Sequence, residues 1–279
     1  MVSVQTHQGE LISSGVSLAD VPANHDLSLF FLVLARDREH VAEKIEELKG
    51  LRVPFTVVCG EKLDQPEVKF REPRGKYDAI NYGLKLVPEN VQVVAFNDVD
   101  TKIHNVDKAL ESVDFHEVGL AFAKVTVKRG PQKHFYRLLD SIRRRLPINA
   151  SGELMLVKRE LLDKILPMKP CKAEDSYILF KTLELGRKVA FIEKCSVETK
   201  RTETLSQETD YKRRTVAGIY QALSSTRPPL AIRIFYMILP LVCPLLLLSG
   251  KKGLSWTKGI LFGLSDYLHG DRSGLWKPT

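Results

Sequence analysis

An α/β fold, with a mixed and mainly parallel sheet flanked by helices, is predicted by three features of this sequence. Short apolar runs rich in β-branched residues alternate with longer amphipathic stretches, the pattern of strands joined by crossover helices. No Gly/Ser linker, internal repeat or low-complexity tract divides residues 27 to 223, so that region reads as one domain. The 279 residues, 44% hydrophobic and 27% charged, also suffice for a sizeable core.

The elements follow in order. A polar leader, residues 1–26, precedes LSLFFLVLA (Leu27 to Ala35), an apolar run of strand length. EHVAEKIEELKG carries apolar residues at helical spacing and predicts an amphipathic helix closed by Gly50. PFTVVCG is the next strand, and a short extended piece at Val68 to Phe70 leads into KYDAINYGLKL, a helix stopped near Pro88. The strand VQVVAFND follows, and Asn105 is placed to cap a helix over Val106 to Ser112. EVGLAFAKVTVK predicts a long strand, QKHFYRLLDSIRRRL a basic helix, and ELMLVKRELLDKIL a strand feeding a helix. SYILFKTLELG is a helix ending at Gly186, and KVAFIE is a further strand.

Residues 224–279 differ in character. Leu230 to Leu248 carries one charge, Arg233, and approaches the roughly 20 residues that cross a bilayer. Pro240 and Pro244 interrupt it, and basic residues flank both ends, which favours a bent, re-entrant or surface-lying element over a clean span. Both tryptophans, Trp256 and Trp276, lie in this tail, as expected of a segment at a membrane interface; a tail helix packed on the preceding domain is the rival reading.

Charge and cysteine usage narrow the partners. A formal charge of +8 and a pI near 9.2 favour anionic ligands: nucleotide phosphates, acidic lipid or nucleic acid. Cys59, Cys171, Cys195 and Cys243 have no C-x-x-C spacing, which argues against a zinc site or disulfide framework and predicts free thiols. MVSVQTHQGELISSG shows no basic region followed by an apolar run, so no secretory signal is expected and the chemistry should face the cytoplasm. The Asn149-Ala150-Ser151 sequon is then without use.

Four motifs bear chemistry. Asp98 and Asp100 follow an apolar strand two residues apart, so their carboxylates can converge on one divalent cation that substrate phosphates complete. GKYDAINYGL opens a helix with Gly75-Lys76, whose free N–H groups and ammonium suit an anion. Glu174 and Asp175 stand at the start of a helix, and Arg213 with Arg214 could bind a diphosphate. Each alone reads equally well as a turn, a cap or a solvated helix face.

Together, in this order, they resemble the family 2 glycosyltransferases with their GT-A nucleotide-diphospho-sugar transferase fold, over Leu27 to Leu223. In that family a G-K-x-x-A-[LI]-N-x-G-[LI] helix precedes a strand ending in D-x-D, as GKYDAINYGL precedes AFNDVDT here, and a later E-D pair matches Glu174-Asp175. The resemblance implies Mg²⁺ or Mn²⁺ on Asp98 and Asp100, a nucleotide-sugar donor, Asp175 as general base and Arg213 and Arg214 on the leaving diphosphate. Where members carry acidic residues that read the nucleotide base, this sequence has VVCGEK, with Glu61 as the substitute. Tyr211 and Thr215 replace the Gln and Trp of the processive synthases' closing motif, so single sugar transfer is expected, with inversion, to a lipid-linked or saccharide acceptor. The tail's GILFGLSDYLHGDRSG is similar to the family's membrane-flanking ending, which implies a place at the cytoplasmic face of the cell membrane. The basic stretch Lys128 to Arg145 suggests an anionic or lipid-linked acceptor.

Two alternatives compete. A sugar nucleotidyltransferase usually carries a glycine-rich basic loop directly after the first strand, where this chain reads LARDREH. A non-catalytic basic module on membrane or nucleic acid would use Arg143, Arg144 and Arg145, but consecutive residues do not share a helix face, and no nucleic-acid motif is present. No nucleic-acid partner is expected.

Overall fold

The computed structural model describes residues 27–127, 133–200 and 202–270; the leader, Lys128 to Gln132 and Trp276 lie outside the described residues. Eight strands among them form one sheet: β1 (Leu29–Ala35), β2 (Phe55–Cys59), β3 (Val68–Phe70), β4 (Val93–Asp98), β5 (Thr101–His104), β6 (Val118–Val127), β7 (Leu154–Lys158) and β8 (Lys188–Thr199). Their spatial order is β3-β2-β1-β4-β7-β6-β8-β5. β1 to β4 run parallel, β7 inserts antiparallel between β4 and β6, β6 and β8 are parallel, and β5 closes antiparallel on β8. This is the mixed, mainly parallel sheet that the alternation predicts.

Period-two alternation explains the layers. Every residue of β1 is buried. Phe31 and Val33 pack under helices α1 (Val41–Leu51) and α3 (Val106–Ser112), while Phe30, Leu32 and Leu34 face α2 (Lys76–Gly83), α5 (Arg159–Ile165) and α6 (Glu174–Glu184). A sheet covered on both faces needs continuous apolar strands, which is why LFFLVLA shows no polar alternation. Burying each such side chain stabilises the fold by about 1.5–3 kcal/mol.

Local details depart from expectation. Gly50 lies inside α1, and the chain turns instead at Arg52, in the left-handed region at φ 55°, with its N–H on the Lys49 carbonyl. Asn105 precedes α3 but makes no side-chain capping bond, because its own backbone is left-handed, at φ 59°. Thr101–His104, not expected as a strand, becomes β5 because β6 and β8 slip in register between Ala123 and Lys124; their second halves curl away and offer Ser196 to Thr199 for pairing. The strand begun by KVAFIE accordingly runs on to Thr199.

Three further helices follow α4 (Lys133–Arg143) and α6: α7 (Leu205–Ser225), α8 (Leu230–Val242) and α9 (Lys251–Leu268), with a 3₁₀ stretch, Cys243–Ser249, between the last two. Thr204 and Gln207 form a reciprocal capping box that starts α7. α9 lies against α7 so closely that a Cβ at Gly259 or Gly263 would stand 2.5 Å from Lys212 Cβ or the Arg213 carbonyl oxygen, respectively. Trp256 turns inward with it, onto Lys212, Tyr136 and Phe135.

Candidate active site

A cleft of about 810 Å³ opens at the carboxyl ends of β1, β2 and β4, where an open α/β sheet places its ligands. Asp98 ends β4 and Asp100 follows in the turn to β5. The antiparallel register that sets Asn97 against Leu154 brings Glu153 beside Asp98, whose N–H reaches the Glu153 carbonyl at 3.4 Å. α6 begins at Glu174, so Glu174 and Asp175 enter the same cleft from its first turn. α2 begins at Lys76, after Gly75 at φ 116°, a conformation that favours glycine.

Lys76 is the centre of this cluster. Its Nζ lies 2.7 Å from Asp98 Oδ1 and 2.6 Å from Glu174 Oε1, so one ammonium joins two distant segments of the chain. Burial pulls that ammonium down, but Asp98 and Glu174 outweigh it and hold Lys76 well above the ordinary lysine value. Burial pushes the Asp98 carboxyl up to about 6, with Lys76 opposing and Asp100 and Glu153 adding to the rise. Burial, then the neighbouring Glu174, pushes Asp175 up to about 7, although Lys76 and the Ser176 N–H at 2.6 Å hold it back. A carboxylate near 7 is matched to proton transfer at neutral pH.

Behind the cleft the Asp98–Asp100 turn is anchored from α1. Lys44, almost fully buried, donates to the Thr101 carbonyl and pairs with Glu47 at 2.7 Å, while Glu47 accepts the Ile103 N–H. Asn97 donates to Thr101 Oγ1 and to the Glu153 carbonyl, leaving its own Oδ1 buried without a partner. Glu153 is itself buried and accepts the Ser151 hydroxyl at 2.7 Å.

Asp98, Asp100, Glu174, Asp175, Lys76 and Arg214 all reach the cleft. Arg213 does not: its guanidinium forms a two-pronged pair with Asp266 of α9, at 2.6 and 2.7 Å, because the adjacent positions on α7 point to different sides. Glu61 turns to Arg38 at 2.7 Å, and Asp37, at the end of β1, lines the cleft in its stead. The basic triplet separates as well. Arg143 is buried on Asp140 and Asn149, Arg144 pairs with Glu193, and Arg145 faces solvent. Sequence reasoning missed Glu153, Asp37 and Lys44.

The Asp98 and Asp100 carboxylates fit a hard divalent cation. They are oxygen donors, and Asp100 lies near enough to raise Asp98. Among the described residues no group of three or more His, Cys, Asp or Glu side chains is placed to hold a metal ion. Two carboxylates would leave the rest of a cation's coordination to water or to substrate oxygens.

No protein-family model and no curated protein sequence matches the chain. Solved structures do. A mannosyltransferase from Pyrobaculum calidifontis, in complex with GDP-mannose and Mn²⁺, superposes with a TM-score of 0.66 at 16% identity, over 87% of each chain. GalNAc-T7 with UDP, GalNAc and Mn²⁺ superposes at 0.53 and 11% identity, over 88% of this chain and 57% of that one. The chain therefore has the GT-A nucleotide-diphospho-sugar transferase fold.

Proposed function

We propose that this protein is a family 2 type, metal-dependent glycosyltransferase that moves one sugar from a nucleoside-diphosphate donor to a hydroxyl of a saccharide or lipid-linked acceptor, with inversion. The observation that carries this reading is the meeting, in one cleft, of the Asp98–Asp100 pair with Asp175, a carboxyl raised to about 7. Both similar structures hold Mn²⁺ together with a nucleotide or nucleotide-sugar.

In this reading Asp98 and Asp100 hold Mg²⁺ or Mn²⁺, which when bound neutralises charge on the donor diphosphate. Asp175 takes the acceptor hydroxyl proton as that oxygen bonds to the anomeric carbon and the carbon–phosphate-oxygen bond breaks. A single displacement of this kind inverts the anomeric centre. Arg214 stabilises the departing diphosphate. Lys76 ties Glu174 to Asp98 and holds the two in register across the cleft. A nucleotidyltransferase would need a phosphate-cradling loop after β1, where Arg36, Asp37 and Glu39 stand instead.

Asp175→Asn tests the assignment. Transfer to a hydroxyl acceptor should fall by about 10²–10⁴-fold while donor binding in the presence of Mn²⁺ persists. Unchanged turnover would remove Asp175 from the reaction, and absence of metal-dependent donor hydrolysis across a panel of nucleotide sugars would remove the whole reading.

A further inference from the structure

The helix α8 buries one stripe and leaves the other bare. Ile232, Phe235, Tyr236 and Leu239 pack on the α/β domain. The Tyr236 hydroxyl donates to the Ile148 carbonyl at 2.8 Å, and its own carbonyl accepts the Tyr220 hydroxyl at 2.7 Å. On the opposite side Met237, Leu241, Leu245 and Leu248 are 73%, 78%, 68% and 90% exposed. Each forgoes most of the roughly 1.5–3 kcal/mol that burial supplies, and a contiguous patch of this kind marks an interaction surface.

The charges around the patch select its occupant. Between Arg227 and His269 the sequence has five lysines and arginines and one acidic residue, Asp266, which Arg213 already holds. At the start of α8 a second cavity, of about 520 Å³, is lined by Lys169, Lys181, Arg227 and Arg233. Its one carboxylate, Glu184, is taken by Lys181 Nζ and the Arg227 N–H. Apolar side chains next to a cationic cavity complement acyl chains next to an anionic headgroup. A second copy of this chain would bring the same cations to the same place.

We propose that the exposed face of α8 and the following 3₁₀ stretch docks on an anionic lipid bilayer, lying in its surface, with the Lys169/Lys181/Arg227/Arg233 cavity receiving a headgroup phosphate. Leu230–Ser249 is the one helical stretch among the described residues long and apolar enough to cross a bilayer. Crossing would tear Ile232, Tyr236 and Leu239 from the domain core, so the in-plane arrangement keeps both stripes of α8 covered. Pro240 and the tightening at Cys243 bend the element further from a span. The docking does not depend on the sugar-transfer reading. Joined to it, the arrangement lets a membrane-borne acceptor meet the cleft from the side of the Ile148–Gly152 loop, which Tyr236 supports and which lines the cleft at Asn149, Ala150 and Gly152.

Sedimentation of the full chain with phosphatidylcholine vesicles, with and without phosphatidylglycerol, tests the proposal. Binding should require phosphatidylglycerol and weaken with salt. A Met237→Glu/Leu241→Glu/Leu248→Glu variant should lose at least about tenfold in partitioning at an unchanged melting midpoint. Lys169→Glu/Arg233→Glu should abolish the preference for phosphatidylglycerol. Undiminished binding by the triple variant, or a lipid-free dimer that the triple variant dissolves, overturns the proposal. A Lys251→Cys chain on sealed vesicles should react fully with an impermeant maleimide added outside, since the native cysteines are buried; protection of that thiol would show a span and overturn the in-plane arrangement.

Discussion

The cleft and the tail break the inside–outside rule in opposite directions. At the cleft the chain buries Glu153 and Glu174 and half-buries Lys76, Asp98 and Asp175; along α8 it exposes methionine and leucines. Both arrangements cost free energy in isolation, and neither is needed to close the core, which β1, β4 and β7 already fill. Departures of this kind concentrate where a protein does something besides fold. Their chemistry differs accordingly: charges held out of water suit ionic ligands and proton transfer, while apolar side chains held in water suit a surface that excludes it.

The strongest way to break the comparison is to remove the cation that makes the cleft tolerable. Lys76→Met leaves Asp98 and Glu174 facing each other without their shared partner, which should destabilise the fold by about 3–5 kcal/mol at neutral pH. Lower pH should recover part of the loss, because protonation then replaces the lysine. Urea unfolding at pH 5 and pH 8 would measure both, and an unchanged midpoint at pH 8 would mean that solvent already screens the cluster.

The pH dependence of the native chain has a fixed sign. Asp98 and Asp175, raised from 3.8 to about 6 and about 7, bind protons more tightly folded than unfolded. Their stabilising contribution is therefore complete below about 3.8 and is lost as pH rises through 6 and 7. Asp175→Asn cannot ionise, so it should melt higher than the native chain at pH 8, by the equivalent of about 2–4 kcal/mol, with the gain shrinking towards pH 5. A variant that is inactive yet more stable would identify the carboxylate as held for chemistry. Equal melting of the two chains at pH 8 would show that Asp175 is ordinary.

Much of this was legible in the sequence because the signals are local. LFFLVLA, the Gly75-Lys76 turn, the Asp98–Asp100 spacing and the Glu174-Asp175 helix start each lie within a few residues, where periodicity and capping rules operate. Glu153 was not, since its place beside Asp98 exists only through the antiparallel pairing of β7 with β4, 56 residues apart at their hydrogen-bonded ends. Lys44 was hidden for a similar reason: its helix reads as an ordinary amphipathic one until β5 lies over it. The tail shows the same limit. Composition marks both α8 and α9 as apolar, but only the small residues Gly259 and Gly263 mark α9 as the helix whose backbone closes directly on α7, whereas α8 meets α7 through the Tyr220 side chain.

The smallest expected effect falls where the two regions meet. Neighbours on α7, Arg213 and Arg214 face different ways: Arg214 lines the cleft, and Arg213 grips Asp266 of the tail helix. If Arg214 stabilises the leaving diphosphate, Arg214→Ala should lower kcat/KM for the donor by about ten- to a hundredfold, the worth of a charge-assisted hydrogen bond. Arg213→Ala removes a half-exposed ion pair, worth about 0–1 kcal/mol of stability, and should leave kcat/KM within about twofold. Steady-state kinetics on both variants, with their melting midpoints, separates the roles. Equal losses of kcat/KM would mean that α9 shapes the cleft through Arg213, and the line between the cleft and the tail would then have to be redrawn inside α7.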